Sequence, residues 1–299
     1  MANETNLKEA LNELTVEGVL HEKNLEIKTD DGKKSISGSI SIQTSDTNIV
    51  TLRVNQNEYT KAGKLNSIYA GLVTVKEEYK SVAEVGNELA DKVRITRGQI
   101  NPYHSTNTNT DVIGFKTNFI NRVKDLSTFE PRAELDVELY ISAITSEVST
   151  DEETRGEETG RAILRGWMPT YNGIEPLTFV VPEEYADVVK EEYKSGDTVL
   201  VSADVVNSKV VKRQEIPVKI GKPKVKTTTT YKNELVLTGI SETYEDRKDN
   251  GEAVEPYNKE AIQKAITERE IKIEEAKKSG NTTQQAKPPV TSGRPMPNW

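Results

Sequence analysis

Apolar and polar residues alternate along most of the first 240 residues of the chain. Val50, Leu52 and Val54, for example, alternate with Thr51 and Arg53. A period of two puts successive side chains on opposite faces of a β-strand, so each such strand has one core face and one face in water. Sheets with one face in water are usually antiparallel. The pattern therefore predicts a mainly β protein.

Two short segments with helical spacing, at about 63–80 and 182–193, interrupt this alternation. The predicted strands of the first half are 14–28, 34–44, 47–55, 92–101 and 111–121, and those of the second half are 133–147, 161–169, 174–181, 197–206 and 234–241. Each half thus has three strands, a helix and two more strands. This is the order of the OB-fold, a five-stranded Greek-key barrel. We expect two OB-fold-like antiparallel barrels in tandem, each with one short helix, followed by a C-terminal helix and a disordered tail.

A chain of 299 residues has room for two such units and a tail. We expect a first OB-like domain at 1–128 and a second at 129–243. Residues 244–299 would form an acidic linker, an amphipathic helix and a disordered tail that contains several prolines. The helix has Asn258 as its predicted cap and a thin apolar stripe that includes Ile262, Ile266 and Ile273. This stripe would dock on the second barrel or on a partner.

Composition and motifs exclude several classes of enzyme. The chain has no cysteine and only two histidines, His21 and His104, which lie far apart in sequence. A disulfide, a thiolate nucleophile and a thiolate-bound zinc are therefore excluded. No phosphate-binding loop, GxSxG or GxGxxG motif occurs. We expect a protein that is not an enzyme and needs no cofactor or metal.

Two further features bear on where the protein acts. No apolar run is long enough to span a membrane, and no basic cluster followed by an apolar stretch opens the chain. We expect no membrane partner and a cytoplasmic location, which is the cytoplasm of the bacterial host if a phage encodes the protein.

The formal net charge of -8 disfavours binding to nucleic acid, but the basic residues are unevenly distributed. Segment 209–232 has a single acid, Glu215, and eight basic residues: Lys209, Lys212, Arg213, Lys219, Lys222, Lys224, Lys226 and Lys232. Interleaved valines and four threonines at 227–230 predict an extended β-arm. In an OB-fold this segment would join the last two strands, beside the ligand groove. The alternative is a solvated hairpin whose lysines protect an edge strand from aggregation.

Aromatic side chains supply the second requirement of a single-strand binder, because unpaired bases stack on flat rings at about 1–3 kcal/mol each. Trp167 shares one strand face with Arg165, and Tyr103 lies in a polar loop. Both rings have a structural alternative, which is packing in or over the core. The phenylalanines Phe115, Phe119 and Phe179 are predicted to be core residues. The predicted nucleic-acid-binding residues are Arg53, Arg94, Arg97, Tyr103, Lys116, Arg122, Arg165, Trp167, Lys212, Arg213, Lys219, Lys222, Lys224, Lys226 and Tyr231.

Two OB-like units, a basic loop before the last strand and a tail that ends in Trp299 together resemble a phage-type single-stranded DNA-binding protein. The resemblance covers about residues 10–241 by element order, plus the tail. It implies sequence-independent binding of single-stranded DNA in phage or plasmid replication or recombination, with replication or recombination proteins recruited through Trp299. The tail differs from that of bacterial members, which close a strongly acidic tip with Pro-Phe. This chain ends Gly293-Arg294-Pro295-Met296-Pro297-Asn298-Trp299.

Two other functions fit the same pattern. A phage virion structural or assembly protein would also use β-barrel domains, and its basic arm would then grip a neighbouring subunit. The acidic net charge favours this alternative. A third possibility is an adaptor that captures host proteins through the helix at 262–276. The sequence leaves the oligomeric state open.

Overall fold

A computed structural model describes residues 7–150, 154–216, 224–249 and 252–282, and within these it describes every side chain outside 209–231 and 279–282. The strands are β1 (Asn12–Asp30), β2 (Lys33–Gln43), β3 (Ile49–Asn57), β4 (Lys92–Ile100), β5 (Tyr103–Ser105), β6 (Thr110–Val112), β7 (Phe115–Lys116), β8 (Asn121–Arg122), β9 (Arg132–Val148), β10 (Glu158–Thr170), β11 (Gly173–Val181), β12 (Thr198–Ile216), β13 (Lys224–Ile240), β14 (Lys248–Asp249) and β15 (Glu252–Ala253). The helices are α1 (Ser67–Glu78), α2 (Val82–Val85), α3 (Glu183–Glu192) and α4 (Lys259–Thr282). The protein is mainly β, as predicted. None of the helices in these ranges is long and apolar enough to cross a membrane.

The strand pairings form two closed circuits, which we call the first and second rings. In the first ring β1 pairs with β2, β2 with β3, β3 with β7, β7 with β4, and β4 again with β1. The second ring repeats this order with β9, β10, β11, β13 and β12. Among the described strand pairings of the two rings, β3–β7 and β11–β13 are parallel and the others are antiparallel. Helices α1 and α3 follow the third strand of their ring, so the predicted order of elements is confirmed.

The two rings are joined in one eleven-stranded sheet by the pairing of β1 with β9, which runs from Asn12 opposite Val137 to Glu17 opposite Arg132. A second connection is Asn48, in the turn between β2 and β3. Its side chain donates to the carbonyl of Val205 at 3.0 Å and accepts from the backbone N–H of Asn207 at 2.6 Å. The predicted division into domains at residues 128 and 243 stays a prediction.

The core consists of the inward-facing positions of both rings, and the predicted core faces are confirmed. These buried residues include Ile36, Ile40, Ile42, Val50, Leu52, Val54, Leu135, Val137, Leu139, Ile141, Val199, Val201 and Val205. Phe115 and Phe179 are buried as predicted, but the prediction for Phe119 is wrong because its side chain is 36% exposed. Thr117 points inward in its place, and its hydroxyl donates to the carbonyl of Phe119 at 3.3 Å.

The second strand of each ring contains a glycine at a point where it crosses its neighbour closely. At Gly38, with φ at +148°, a Cβ atom would lie 1.9 Å from the carbonyl oxygen of Asn24. At Gly166 a Cβ atom would lie 2.5 Å from Cγ of Leu139. Neither position has room for a side chain, which is typical of strands that bend sharply.

The chain's own C-terminal segment covers the outer face of the second ring. Ile262 and Ala265 of α4 pack on Tyr140 and Ile174, with Trp167 beside them. The apolar stripe of α4 therefore docks on its own chain, one of the two predicted alternatives. The alternation predicts one face in water for each strand, and for β9 this prediction is wrong at Glu138 and Tyr140, which are buried beneath this segment.

Candidate nucleic-acid interface

Three exposed cations lie close together on the outer surface of the first ring. Arg53 on β3 is the register partner of Lys116 on β7, and Lys116 is in turn opposite Gln99 on β4. Arg97 is exposed on β4 two residues before Gln99, so it lies on the same face of β4 as Gln99. Among the described residues, none of the three cations forms an ion pair with a carboxylate. Their charge is therefore available to a ligand.

Two aromatic rings accompany these cations. Cζ of Arg53 lies 5.3 Å from the centre of the Tyr103 ring, and its Nη2 donates to the Tyr103 hydroxyl at 3.4 Å. Cζ of Arg97 lies 5.2 Å from the centre of the Phe119 ring. Cation–π contact orients a guanidinium group and leaves N–H groups free to donate. We call these five side chains, namely Arg53, Arg97, Tyr103, Lys116 and Phe119, the first-ring patch.

A cleft of about 450 Å³ adjoins the first-ring patch and separates the first ring from the base of β12 and β13. Thr51 lines the cleft and shares an outward-facing side of β3 with Arg53. Val112 also lines it and is the register partner of Tyr103. We call this space the inter-ring cleft.

Beyond the cleft, β12 and β13 continue as a long antiparallel hairpin. Their register runs from Lys209 opposite Tyr231 to Ile216 opposite Lys224, so the predicted β-arm is confirmed for the backbone. The register also pairs Lys212, Arg213 and Gln214 with Thr228, Thr227 and Lys226, respectively. The side chains of Lys212, Arg213, Lys224, Lys226 and Tyr231 lie outside the described part of the structure. Lys219, Lys222 and Trp299 lie outside the described residues altogether.

The expectation that Arg94 is available to phosphates is corrected, because its guanidinium has partners within the chain. Nε and Nη2 donate to the Glu17 carboxylate at 2.7 Å each, and Nη2 also donates to the carbonyl of Thr128 at 2.6 Å. Burial raises the pKa of Glu17, but the bonds from Arg94 and from the N–H of Glu130 outweigh it and hold the pKa below its usual value. Arg94 thus neutralises a buried carboxylate.

Arg122 is also engaged within the chain. Its Nη2 donates to Asp91 at 3.0 Å and to the carbonyl of Glu78 at 3.1 Å, and its Cζ lies 4.3 Å from the centre of the Tyr79 ring. These two hydrogen bonds and the cation–π contact hold the Arg122 side chain beside the end of α1. The guanidinium therefore supports the local fold rather than an open surface.

Trp167 and Arg165 lie on the outer face of β10 but have different surroundings. Trp167 is half-buried under α4, and Cζ of Arg269 lies 6.0 Å from the centre of its ring. Packing over the core, the structural alternative for this ring, is therefore what the structure contains. Arg165 is exposed, and its Nη1 donates to the Thr145 hydroxyl at 3.1 Å.

Arg269 of α4 links the β5–β6 hairpin to the second ring. Its Nη2 lies 2.6 Å from Asp111 on β6 and 2.9 Å from Glu175 on β11. Burial raises the pKa of Asp111, but bonds from Arg269 and from His104 at 2.9 Å outweigh it and lower the pKa. At Glu175 burial prevails over Arg269 and raises the pKa. Helix α4 thereby holds the β5–β6 hairpin, which carries Tyr103, against the second ring.

The sequence model of the YorF family matches residues 10–279. The chain belongs to the YorF family. No curated protein matches it. Two solved structures of the single-stranded DNA binding protein from Thermus aquaticus are similar to it. The wild-type structure has 11% identity and a TM-score of 0.43, and covers 79% of this chain and 94% of its own. A deletion mutant has 12% identity and a TM-score of 0.45, and covers 81% and 97%, respectively.

Sequence reasoning missed three features of the interface in this YorF chain. Phe119 is predicted as a core residue, but it follows the end of β7 at Lys116 and its ring is exposed. The inter-ring cleft is formed by segments that are far apart in the sequence, so the pattern of residues within any one segment does not predict it. In the sequence Arg269 is one of many charged residues of α4. Its partner Asp111 lies 158 positions away, so the sequence pattern does not predict their hydrogen bond.

Proposed function

We propose that this YorF-family protein binds single-stranded DNA without strong sequence preference, and that it is not an enzyme. The observation that carries the proposal is the first-ring patch, where three cations that form no ion pair within the described part of the chain share one surface with the half-exposed ring of Tyr103 and the exposed ring of Phe119. Lysine and arginine neutralise phosphates, and aromatic rings stack on bases that are not paired. A surface that offers both groups matches a single strand better than a duplex, whose bases are already stacked.

We further propose that each ring is an OB-fold barrel. The circuit of first, second, third, fifth and fourth strand, with the third and fifth parallel, supports this assignment. OB-folds bind oligonucleotides on the face of strands two and three and with the loops after strands one and four. In the first ring the third strand carries Arg53, and Tyr103 belongs to the segment after the fourth strand. In the second ring the arm is the segment that follows the fourth strand, β12.

The negative net charge of the whole chain does not oppose this proposal, because a ligand responds to the charges close to its own binding surface. Field strength at a surface depends on the charges within about 8–10 Å in physiological salt. The two carboxylates that line the cleft have partners of their own: Asp111 is bonded to Arg269, and Glu234 lies 2.9 Å from Lys232. The phage or plasmid setting and recruitment through Trp299 stay predictions from the resemblance.

A fluorescence titration with labelled oligo-dT at several salt concentrations tests the proposal. Each phosphate neutralised on a single strand contributes about -0.7 to the log-log slope of affinity against salt, so replacing Arg53, Arg97 and Lys116 with glutamine flattens the slope by about 2. The matched control replaces three exposed lysines of α4, Lys259, Lys264 and Lys277, with glutamine. We expect the control to keep the wild-type slope. Absence of binding at low salt, or equal slopes in all three proteins, contradicts the proposal.

A further inference from the structure

The inter-ring cleft has polar groups that no part of the described chain satisfies. Asn207 on β12 and Asn233 on β13 are register partners, and both line the cleft. The backbone N–H of Asn207 donates to Asn48, but neither of the two side-chain amides has a hydrogen-bond partner among the described residues. An amide side chain presents two donors and an acceptor next to each other. Two facing amides are therefore free to bind a ligand with a mixed polar edge.

The rest of the lining selects against a charged ligand. Val112 and Ile113 supply apolar walls, next to the edges of the buried residues Phe115, Val205 and Leu235. The two acids of the lining are already neutralised, Asp111 by Arg269 and Glu234 by Lys232 at 2.9 Å and Arg161 at 3.4 Å. A phosphate entering this space would meet carboxylates and no free cation of the described lining. A flat neutral group with donors and acceptors on its edge could pack its faces on the apolar residues and form hydrogen bonds with the amides.

The position of the cleft connects it with the first-ring patch. Thr51 lines the cleft and lies on the same outward side of β3 as Arg53, while Val112 is paired with Tyr103. A strand whose phosphates contact Arg53 and Lys116 would therefore pass the mouth of the cleft. The volume of about 450 Å³ lies within the range of about 300–1,000 Å³ that small-ligand pockets have.

We propose that the inter-ring cleft is a base-binding subsite of the single-stranded DNA site, in which Asn207 and Asn233 hydrogen-bond to the edge of one base. This inference rests on the proposed function. Asparagine pairs in bidentate fashion with adenine, whose edge has an amine donor beside a ring-nitrogen acceptor. The subsite therefore favours adenine, and the protein binds a strand that contains adenine more tightly than one of thymine alone.

The test compares oligo-dT with the same oligonucleotide carrying adenine at every third position, for the wild type and for Asn207→Ala/Asn233→Ala. One bidentate pair discriminates by at least about 1 kcal/mol, so the wild-type preference for adenine is about fivefold or more. The double variant should lose that preference and keep the wild-type salt slope, because no phosphate contact is removed. The matched control is Asn57→Ala/Asn87→Ala, which removes two exposed amides outside the cleft.

Thermal unfolding of each variant monitors the fold, so that a loss of structure is not mistaken for a loss of the subsite. Loss of the adenine preference in Asn207→Ala/Asn233→Ala alone, at unchanged melting temperature, supports the subsite. Equal preference in the wild type and the double variant overturns it, while tight binding of oligo-dT leaves the proposed function standing. No binding of either oligonucleotide by the wild type overturns both.

Discussion

Two arginines of the first ring, Arg53 and Arg94, differ in what surrounds their guanidinium groups. Arg53 is exposed beside a tyrosine and has no ion pair among the described residues, whereas Arg94 forms two bonds to Glu17, whose side chain is 1% exposed. A buried carboxylate that loses its counter-ion is strongly unfavourable. Both side chains are positively charged guanidinium groups, but of the two only Arg53 has no carboxylate partner among the described residues and can meet a phosphate.

We predict that Arg94→Gln lowers the melting temperature and leaves the salt slope of DNA binding unchanged. Without Arg94, burial is the main influence on Glu17 and raises the pKa of this carboxyl. Protonation of Glu17 then removes the buried unpaired charge and reduces the loss of stability in the variant. The loss of stability should therefore shrink as the pH falls towards 4.5. Thermal unfolding between pH 4 and 8 measures it, with Arg97→Gln as the control. A flatter salt slope in Arg94→Gln would contradict this interpretation.

Glu138 is a second buried carboxylate, and it forms hydrogen bonds with segments before the first ring and after the second. It accepts from the N–H of Leu11 at 2.9 Å and from the hydroxyls of Tyr244 and Tyr257 at 2.8 Å each. Burial raises its pKa, but these hydrogen bonds outweigh burial and hold the pKa below the usual value of 4.5. The ionised form is therefore the one that the fold stabilises.

A group with a lowered pKa in the folded state contributes stability above its unfolded pKa, and this contribution is lost as the pH falls through the folded value. We predict that Glu138→Gln costs roughly 1–3 kcal/mol at pH 7, the usual penalty for an unsatisfied buried group. The difference from the wild type should narrow below pH 4.5. Denaturant unfolding at several pH values measures both effects. A difference that does not change with pH would contradict the assignment of the ionised form.

At the level of elements, helix α4 is held by few apolar residues but connects distant parts of the chain. Ile262 is 1% exposed against Tyr140 and Ile174, and Arg269 binds Asp111 of the β5–β6 hairpin and Glu175 of the second ring. Helices with so thin a stripe depend on tertiary packing rather than on their own propensity. Docking of α4 is therefore sensitive to one buried position.

We predict that Ile262→Asp undocks α4 and exposes Trp167. The chain has two tryptophans, so the measurement uses a Trp299→Phe background in which Trp167 is the only indole. Its emission maximum should move to longer wavelength, because burying an unpaired carboxylate is costly enough to displace the helix. The control is Ile271→Asp on the same helix, since Ile271 is 51% exposed. Equal emission spectra of the two variants would contradict the docking.

At the level of the whole molecule, the cleft adjoins the patch through Thr51 and Val112, and it adjoins the base of the arm through Asn207 and Asn233. The arm is the part whose role differs most between DNA binding and subunit assembly. Because its register is regular, a two-residue Asn-Gly turn in place of residues 210–230 would connect Lys209 to Tyr231 without disturbing either ring.

We predict that this arm-deleted protein keeps its melting temperature and binds oligo-dT with a salt slope flatter by up to about 4, since six basic residues are removed. Size-exclusion chromatography without DNA tests the alternative role in the same protein. An assembly protein would form large particles that disappear with the arm, and its affinity for oligo-dT would not change. That result would favour the virion alternative over the proposed function.

The sequence by itself determined where the strands lie, because facing the core or facing water is a local property that repeats every two residues. Ile36, Ile40 and Ile42 are buried as the alternation predicts, and the order of elements around α1 and α3 follows from it. The arm was predictable for the same reason. Its charge and its β-pattern are both properties of contiguous residues.

Only the tertiary structure decided which of these side chains share a surface. Whether an arginine is free depends on a carboxylate elsewhere in the chain, as at Glu17 and Arg94, and whether Trp167 is open depends on a helix about a hundred residues later. The cleft, Arg269 and the outward turn of Phe119 likewise arise from contacts between distant segments. Such contacts depend on how the rings close, and the period of a single strand carries no information about that.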